Sequence, residues 1–416
     1  MDLKNNYIEK ILLYSFVIFI FFFDFLKNYT DLRLIIFIPF FFALYINYSS
    51  VKKIDKNFLY IFAILILLLT LQGQYLLNNL SDRIYNIKSI IFFIVSVYGI
   101  WSFADFLLKK IDFIFKIFLI FFFTYTIFFL ILNIDLIFGK NNCYIGCFSY
   151  IDSDFKFYTE NSHIGFLSTS IIAYLVLKIK KIDYFFISSI IFYLFVSHNF
   201  SLTTFIPLFF ILLYFLIVYF KKFNLYQKIL LIVFITSSIF TISSTTEALD
   251  KLKNVYNFDN WKVVAPQTKN DVNFQSKKEN VKNLSTEVFI VSLNISKLAF
   301  FEKPLGYGFN NYHVAFNKHI GKINITNPVT KKLNIFDASN NFSKIITEFG
   351  IFSLVIFFIL FKFLFSSKIA FEYKFIIFPS LFTQTFIRGA GYFNGGYILF
   401  LILVFYLIFN KNNQKI

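Results

Sequence analysis

The sequence predicts an all-α polytopic membrane protein with about 12 transmembrane helices and one large extracytoplasmic loop between helices 9 and 10. The first observation is composition, because 58% of the 416 residues are hydrophobic and only 15% are charged. The second is that apolar runs of about 18 residues or more recur along the chain, which is typical of helices that cross a bilayer. The third is a single polar, lysine-rich segment from about Ser244 to Phe342 in an otherwise apolar chain.

The apolar runs lie on both sides of this loop. We expect helices 1–9 in residues 1–243, the large loop with short helices in 244–342, and helices 10–12 with a short cytoplasmic tail in 343–416. No small-residue cleavage site follows the first run, which predicts a retained helix rather than a signal peptide. The expected spans lie near 8–26, 32–48, 57–73, 87–107, 113–134, 163–179, 183–198, 201–220, 227–243, 343–365, 371–388 and 393–409.

Lysine positions orient these helices. If the amino terminus is cytoplasmic, every predicted inner loop is basic and the short outer loops are poor in lysine, as the positive-inside rule requires. Both termini are therefore expected in the cytoplasm, and the large loop is expected outside. The net charge of +17 follows from lysines that flank membrane spans, so no nucleic-acid partner is expected. The inner-loop lysines are Lys52, Lys53, Lys56, Lys109, Lys110, Lys178, Lys180, Lys181, Lys221, Lys222, Lys362, Lys368, Lys374, Lys411 and Lys415.

Arginine and histidine fall on the predicted outer side. The three arginines, Arg33, Arg83 and Arg388, lie at the outer ends of predicted spans. In a chain that uses lysine almost everywhere else, arginine suggests planar, bidentate recognition of phosphate or carboxylate. The alternative is that these side chains only anchor helix ends at lipid headgroups. The four histidines also fall outside, and they are His163, His198, His313 and His319.

The segment from Thr383 to Tyr392 contains the most informative arginine. Gln384 and Arg388 are four residues apart, which predicts that they share one face of a helix. Polar residues within a span are costly against lipid, so this face is expected to line a cavity. The glycines after Arg388 permit a close backbone approach or a break in the helix. A structural arginine paired with a loop carboxylate is the alternative.

A second polar cluster precedes the sixth span. Glu160 and His163 are three residues apart, so they can face the same way and supply general acid–base chemistry. Glu160 could equally complement the dipole of the helix that follows. Cys143 and Cys147 are the only cysteines. The pair permits a short disulfide in an oxidising compartment, and it is too isolated to predict a metal site.

The second half of the large loop is the part that is predicted to be structured. Residues 288–301 predict an amphipathic helix, with Phe289, Leu293 and Phe300 on or near one stripe. A Gly-Tyr-Gly turn follows at 306–308, and its tyrosine is expected to stack on sugars. The asparagines just after it are expected to bind sugar hydroxyls. The loop ends on an Asn-Asn-Phe sequence at 340–342 that leads directly into a helix bearing Glu-Phe-Gly at 348–350.

These motifs resemble those of the bacterial superfamily of O-antigen polymerases and O-antigen ligases. The resemblance comprises the Gly-Tyr-Gly turn, the Asn-Asn-Phe entry into a Glu-Phe-Gly helix, the many spans and the single large outer loop. The run from Glu160 to His163 is similar to a Glu-Pro-Ser-His stretch of some polysaccharide polymerases. The topological likeness covers the whole chain, whereas the residue-level likeness is confined to about 300–350, with weaker similarity at 158–163 and 383–396.

The resemblance implies a membrane glycosyltransferase with a GT-C-like arrangement of helices. Its substrates would be glycans linked to undecaprenyl pyrophosphate, used on the outer leaflet of the bacterial inner membrane without a cofactor or metal. A chain-length regulator and a flippase are the partner proteins implied. Ligases of the superfamily carry a histidine where counting back from Gly350 reaches Ser339, which favours a polymerase, although His313 or His319 could act instead. An O-antigen ligase and a lipid-linked oligosaccharide flippase are the alternatives.

Roles for individual residues follow from the chemistry of such a transfer. The pyrophosphate leaving group develops negative charge, so Arg388 and Arg83 are expected to stabilise it. The attacking sugar hydroxyl needs a base or an orienting acceptor, although Glu348 is more readily explained as a cap of the loop-to-helix junction. The candidate bases are Glu160, His163, His313 and Glu348. Substrate-binding roles are expected for Tyr307, Asn310, Asn311, Asn340, Asn341, Gln384 and Arg33.

Overall fold

The computed structural model describes residues 80–132, 169–171, 173–177, 213–214, 216–244 and 284–409, with isolated positions 7, 10, 11 and 14. Within these residues the regular elements are helices, and none is a strand. Short 3-10 turns join several of the helices. The main helices are α1 (Leu80–Lys109), α2 (Ile111–Leu132), α3 (Leu225–Ser244), α4 (Leu284–Glu302), α5 (Tyr312–His319), α6 (Asn341–Phe349), α7 (Ser353–Phe365), α8 (Phe371–Phe382) and α9 (Tyr397–Phe409).

The described helices overlap the expected spans and differ from them at their ends. The first of them, α1, begins at Leu80 rather than near residue 87, and only Lys110 separates it from α2. The expected boundary between loop and helix 10, at 342–343, falls inside α6. The expected spans near 32–48, 57–73 and 183–198 lie outside the described residues. Those near 163–179 and 201–220 are described only in part, and the span near 8–26 is described only at positions 10, 11 and 14.

Three segments of the described chain are long and apolar enough to cross a membrane: Arg83–Trp101, Leu284–Glu302 and Asn341–Phe365. Tyr397–Phe409 is also apolar but shorter. α9 packs along α1 and contacts α7 and α8, so these four helices share one apolar core. A mostly helical chain with several apolar helices of this length agrees with the membrane-protein class that the sequence predicts.

The helix expected at 288–301 is present as α4, and its most buried face is not the expected stripe of aromatic and leucine side chains. Phe289, Leu293 and Phe300 are only partly buried, whereas the buried face runs through Ser292 and Ser296. Most positions of α4 are apolar or small, and its few charged and amide residues do not define one polar face. The packing partner selects the buried face instead, because small side chains let α4 approach α6 closely. Ser296 Oγ donates to Ser343 O of α6 at 3.0 Å.

The prediction that Gln384 and Arg388 share a helix face is wrong. After α8 the chain continues as a π-helix at Thr383–Ile387, which Arg388 N closes by donating to Thr383 O at 3.0 Å. Arg388 itself is extended, with φ −149° and ψ 118°, and so lies beyond the helix. Single π turns are common near functional sites because they change the direction of the residues that follow.

Candidate functional site

The Gly-Tyr-Gly turn docks against the end of α6. The last carbonyls of a helix lack partners within the helix, and here the turn supplies them. Tyr307 N donates to Thr347 O and Gly308 N to Glu348 O, both at 2.9 Å. A Cβ at Gly306, where φ is +91°, would lie 2.3 Å from Glu348 O. Only glycine therefore permits this approach, and the turn and α6 form one rigid corner.

A buried ion pair lies at the centre of this corner. Lys344 Nζ is 2.8 Å from Glu348 Oε1, and the two side chains are 1% and 0% exposed. The ammonium group also donates to Phe336 O at 2.6 Å and to Asn310 Oδ1 at 3.3 Å. Buried charges persist in proteins when they are paired and hydrogen-bonded. Lys344 therefore joins α6 to Asn310, just after the Gly-Tyr-Gly turn, and to the segment that precedes α6.

Glu348 extends the same network in two further directions. Its Oε1 accepts a hydrogen bond from Tyr312 N at 3.2 Å, and its Oε2 accepts one from Tyr392 Oη at 2.7 Å. Because Tyr312 is the first residue of α5, the carboxylate caps that helix, which lies within the expected large loop and not at its junction with helix 10. Burial raises the pKa of Tyr392 well above its ordinary value, so its hydroxyl stays protonated and donates at neutral pH.

Polar side chains of α1 bind residues 309–311, which directly follow the Gly-Tyr-Gly turn. Asn86 Nδ2 donates to Phe309 O at 2.6 Å and to Asn311 Oδ1 at 2.9 Å. Asn310 Nδ2 donates to Ser89 Oγ at 2.9 Å. Arg83 is exposed on the same helix, one turn before Asn86. α1 therefore places one of the sequence-predicted arginines close to the loop side of the molecule.

Arg388 lies at the start of α6. Its Nη1 donates to Ser339 Oγ at 3.4 Å, and Gly389 N donates to Ser339 O at 3.0 Å. The next residue, Asn340, is the N-cap of α6, since its side chain accepts from Ser343 N at 2.8 Å. A helix N-terminus favours anions because its backbone N–H groups and dipole point outward. A guanidinium at this end adds a positive charge suited to phosphate.

His319 forms a separate cluster at the end of α5. Its Nε2 is 3.1 Å from Tyr307 Oη and 3.2 Å from Glu302 Oε2. Lys318 also pairs with Glu302. Burial lowers the pKa of His319 and raises the pKa of Tyr307, so both groups favour their neutral forms at pH 7. This cluster binds the side chain of the Gly-Tyr-Gly turn, whereas α6 binds its backbone.

The sequence-predicted residues have different surroundings in the structure. Arg388, Asn340 and Asn341 meet at the N-terminus of α6. Tyr307 and Asn311 are buried and bind within the protein, so their sugar-binding roles stay predictions. His313 is buried against the ring of Phe336, with ring centroids 5.3 Å apart. The residues outside the described part of the chain are Arg33, Glu160, His163, Cys143 and Cys147.

Sequence reasoning missed Lys344, Asn86 and Asn394. The i, i+4 spacing of Lys344 and Glu348 is a helix-pair signal that could have identified the ion pair. Asn86 follows Arg83 by one helical turn within a polar stretch, which is a weaker signal. Among the described residues, no group of three or more His, Cys, Asp or Glu side chains is arranged to hold a metal ion.

Comparison of the chain with protein-family models, with curated proteins and with solved structures finds no match. The case for a function therefore depends on the residues and their geometry.

Proposed function

We propose that the protein is a surface-polysaccharide polymerase that joins oligosaccharide repeat units carried on undecaprenyl pyrophosphate. In this proposal it works at the outer leaflet of the bacterial inner membrane, with both termini in the cytoplasm. The supporting observation is that Arg388 binds Ser339 directly before the N-terminus of α6. Two independent sources of positive potential thus meet at one point, which suits a pyrophosphate group.

The proposed glycosyl transfer needs no cofactor, because the bond that forms and the bond that breaks account for all atoms and electrons. A hydroxyl oxygen of the acceptor sugar forms a bond to the anomeric carbon of the donor, and the bond from that carbon to the pyrophosphate oxygen breaks. The pyrophosphate leaves with the bonding electron pair, and the hydroxyl proton passes to a base. Arg388 stabilises the charge that develops on the leaving group. Glu348 is a poor candidate base because both its oxygens are engaged by Lys344, Tyr312 and Tyr392.

Ser339 supports a polymerase over a ligase. Ligases of the superfamily that this chain resembles carry a histidine at the corresponding position. Here the position carries a hydroxyl that accepts from Arg388, and its backbone N–H donates to Ser292 Oγ at 3.2 Å. The small side chain leaves room for Arg388 to approach the N-terminus of α6, and it supplies no general base of its own.

Deletion of the gene tests the proposal, with surface polysaccharide separated by length on a gel. A polymerase predicts single repeat units on the surface and loss of long chains. Accumulation of repeat units on the cytoplasmic side would instead identify a flippase. Long polymer that forms but never reaches lipid A would identify a ligase. Either of these last two outcomes would refute the proposal.

Complementation of the deletion strain tests the role of Arg388. We expect Arg388→Ala to lower long-chain polymer by about 100-fold, as loss of one preorganised group that stabilises developing charge does in other enzymes. Arg388→Lys should restore part of the activity, because lysine keeps the charge but not the planar donor geometry. Lys331→Ala, which removes an exposed loop cation, is the matched control and should leave the polymer unchanged. Normal polymer from Arg388→Ala would remove the leaving-group assignment.

A further inference from the structure

Three buried amide side chains bind the glycine-rich turn at 389–396, and together they form what we call the amide cluster. Its members are Asn341 of α6, Gln384 of the π-helix and Asn394 of the turn itself. They are 0%, 0% and 4% exposed, respectively. Buried amides normally use both ends of the group in hydrogen bonds, since each unpaired end has lost its water.

The orientation of each amide is set by a backbone carbonyl of the turn. Asn341 Nδ2 donates to Gly391 O at 3.4 Å, and Asn394 Nδ2 donates to Ala390 O at 2.5 Å. Gln384 Nε2 donates to Gly395 O at 2.8 Å and to Ser380 Oγ at 2.9 Å. A carbonyl accepts only from the NH₂ end of an amide. The opposite, acceptor end is therefore fixed as well.

Those acceptor ends are unused. Within the part of the chain that the structure describes, Asn341 Oδ1, Gln384 Oε1 and Asn394 Oδ1 are buried and accept no hydrogen bond. At the start of α6, Asn340 Nδ2 and Ser343 Oγ are buried without a partner in the same way. Five unsatisfied polar atoms on elements that contact one another are unusual in a folded protein and call for a ligand or ordered water.

The amide cluster adjoins Arg388. Gly389, the next residue, packs against the cluster, since a Cβ there would lie 2.8 Å from the side-chain Cγ of Asn341 and 2.7 Å from the backbone atoms Asn341 N and Gln384 O. The backbone next to Arg388 therefore contacts the Asn341 amide directly, which places the cluster beside a phosphate bound to Arg388. The unused atoms are uncharged and include both acceptors and a donor, which suits the hydroxyls of a neutral sugar rather than an ion.

We infer that the amide cluster binds the hydroxyls of the donor sugar that is bonded directly to the pyrophosphate. This inference rests on the proposed function, because Arg388 must hold the pyrophosphate for the sugar to lie here. The surroundings of the cluster carry both signs of charge, since the guanidinium of Arg388 adjoins it and a Cβ at Gly391 would lie 2.7 Å from Asp337 Oδ1. The cluster would thus select the glycan, while Arg388 and α6 bind the lipid-linked phosphate that all such donors share.

Entry of the sugar requires the turn at 389–396 to move, because the cluster is covered. Gly391, Gly395 and Gly396 have φ values of +81°, +59° and +73°, and glycine reaches such conformations at no steric cost. Displacing this turn would uncover the amides of Asn341 and Gln384, and Asn394 would move with the turn. The turn therefore serves as the cover of the sugar site.

Binding to the full-length protein in lipid nanodiscs tests the inference with two probes. One is undecaprenyl pyrophosphate, and the other is the lipid-linked repeat unit extracted from bacteria that lack the gene. We expect the wild-type protein to bind the repeat unit about 10-fold more tightly than the bare lipid, a factor typical of a few neutral hydrogen bonds. Gln384→Met, which keeps the volume and removes the polar end, should bring this ratio close to one while the affinity for bare lipid is kept.

Gln227→Met is the matched control. Gln227 is a buried amide whose two ends are both satisfied, by Asn224 N at 2.9 Å and Leu177 O at 3.0 Å, so its replacement should leave the ratio unchanged. Loss of both affinities in Gln384→Met would indicate a misfolded variant, and Asn394→Ala then decides by the same ratio.

Two results would overturn the inference and leave the proposed function standing. One is a wild-type protein that binds both probes equally, and the other is an undiminished ratio in both amide variants, which would mean that water occupies the cluster. A wild-type protein that binds neither probe would refute the proposed function itself.

Discussion

Two consecutive helices, α6 and α7, have opposite surfaces. α6 buries Lys344, Thr347 and Glu348, which are all hydrogen-bonded within the protein. The 3-10 turn Gly350–Phe352 separates α6 from α7, which exposes Leu354, Phe358 and other large apolar side chains. This turn begins at Gly350, with φ +54°. The buried side of α6 is thus polar, and the exposed side of α7 is apolar.

The difference indicates two environments along one stretch of chain, since α6 is enclosed by protein and α7 is exposed on one face. Apolar surface is unfavourable in water but not in lipid, so the outer face of α7 suits a bilayer. Polar groups without water must find partners inside the protein, and α6 finds them in the Gly-Tyr-Gly turn, in α4 and in the turn after Arg388. A site that recognises a lipid-linked polar substrate needs both properties next to each other.

Breaking the buried ion pair of α6 should have the largest effect. We expect Lys344→Met to lower the free energy of unfolding by about 3–5 kcal/mol, because Glu348 is left buried and charged without its partner. Denaturant unfolding in detergent measures the change. Lys318→Met, which breaks an exposed pair with Glu302, should cost at most about 1 kcal/mol. Equal losses of stability from the two substitutions would show that water reaches the ion pair between Lys344 and Glu348.

A charge on the outer face of α7 tests the lipid side of the comparison. Phe358 is 65% exposed, and if this face meets lipid, Phe358→Lys should cost about 2.5–3.5 kcal/mol near the middle of a span. The free energy of unfolding in bilayers is the measurement. Val329→Lys, at a site that is 50% exposed in the loop, should change it by no more than about 0.5 kcal/mol. An unchanged free energy of unfolding in Phe358→Lys would contradict a lipid-facing α7.

The corner between the Gly-Tyr-Gly turn and α6 should be less tolerant than other glycine positions. Gly306→Ala places a Cβ against Glu348 O at φ +91°, so we expect a loss of stability toward the upper end of roughly 1–3 kcal/mol. Gly321→Ala is the control, since nothing lies within 4 Å of a Cβ there. Thermal unfolding of the two variants gives the comparison, and similar melting temperatures would mean that the corner is not rigid.

Sequence patterns predicted local features of this region better than long-range contacts. The helix over 288–301 and the apolar runs that became α7 and α9 are visible because periodicity and composition are local properties. The contact between Asn86 and Phe309 joins residues 223 positions apart, and no local pattern encodes it. The face of Arg388 was mispredicted for a related reason, since an α-helical period does not hold where a π turn ends the helix.

The pH dependence of stability should be the smallest effect, and it separates the His319 cluster from the α6 network. Burial holds the pKa of His319 below its ordinary value, which is about 6.5 in an unfolded chain. Between the two values the unfolded state binds more protons than the folded state, so stability is complete above about pH 6.5 and decreases as the pH falls. The groups that face the ring are Glu302, Tyr307, Lys318 and Lys322. His319→Gln should flatten the decrease in melting temperature below about pH 6.5, whereas an unchanged slope would assign the dependence to another group.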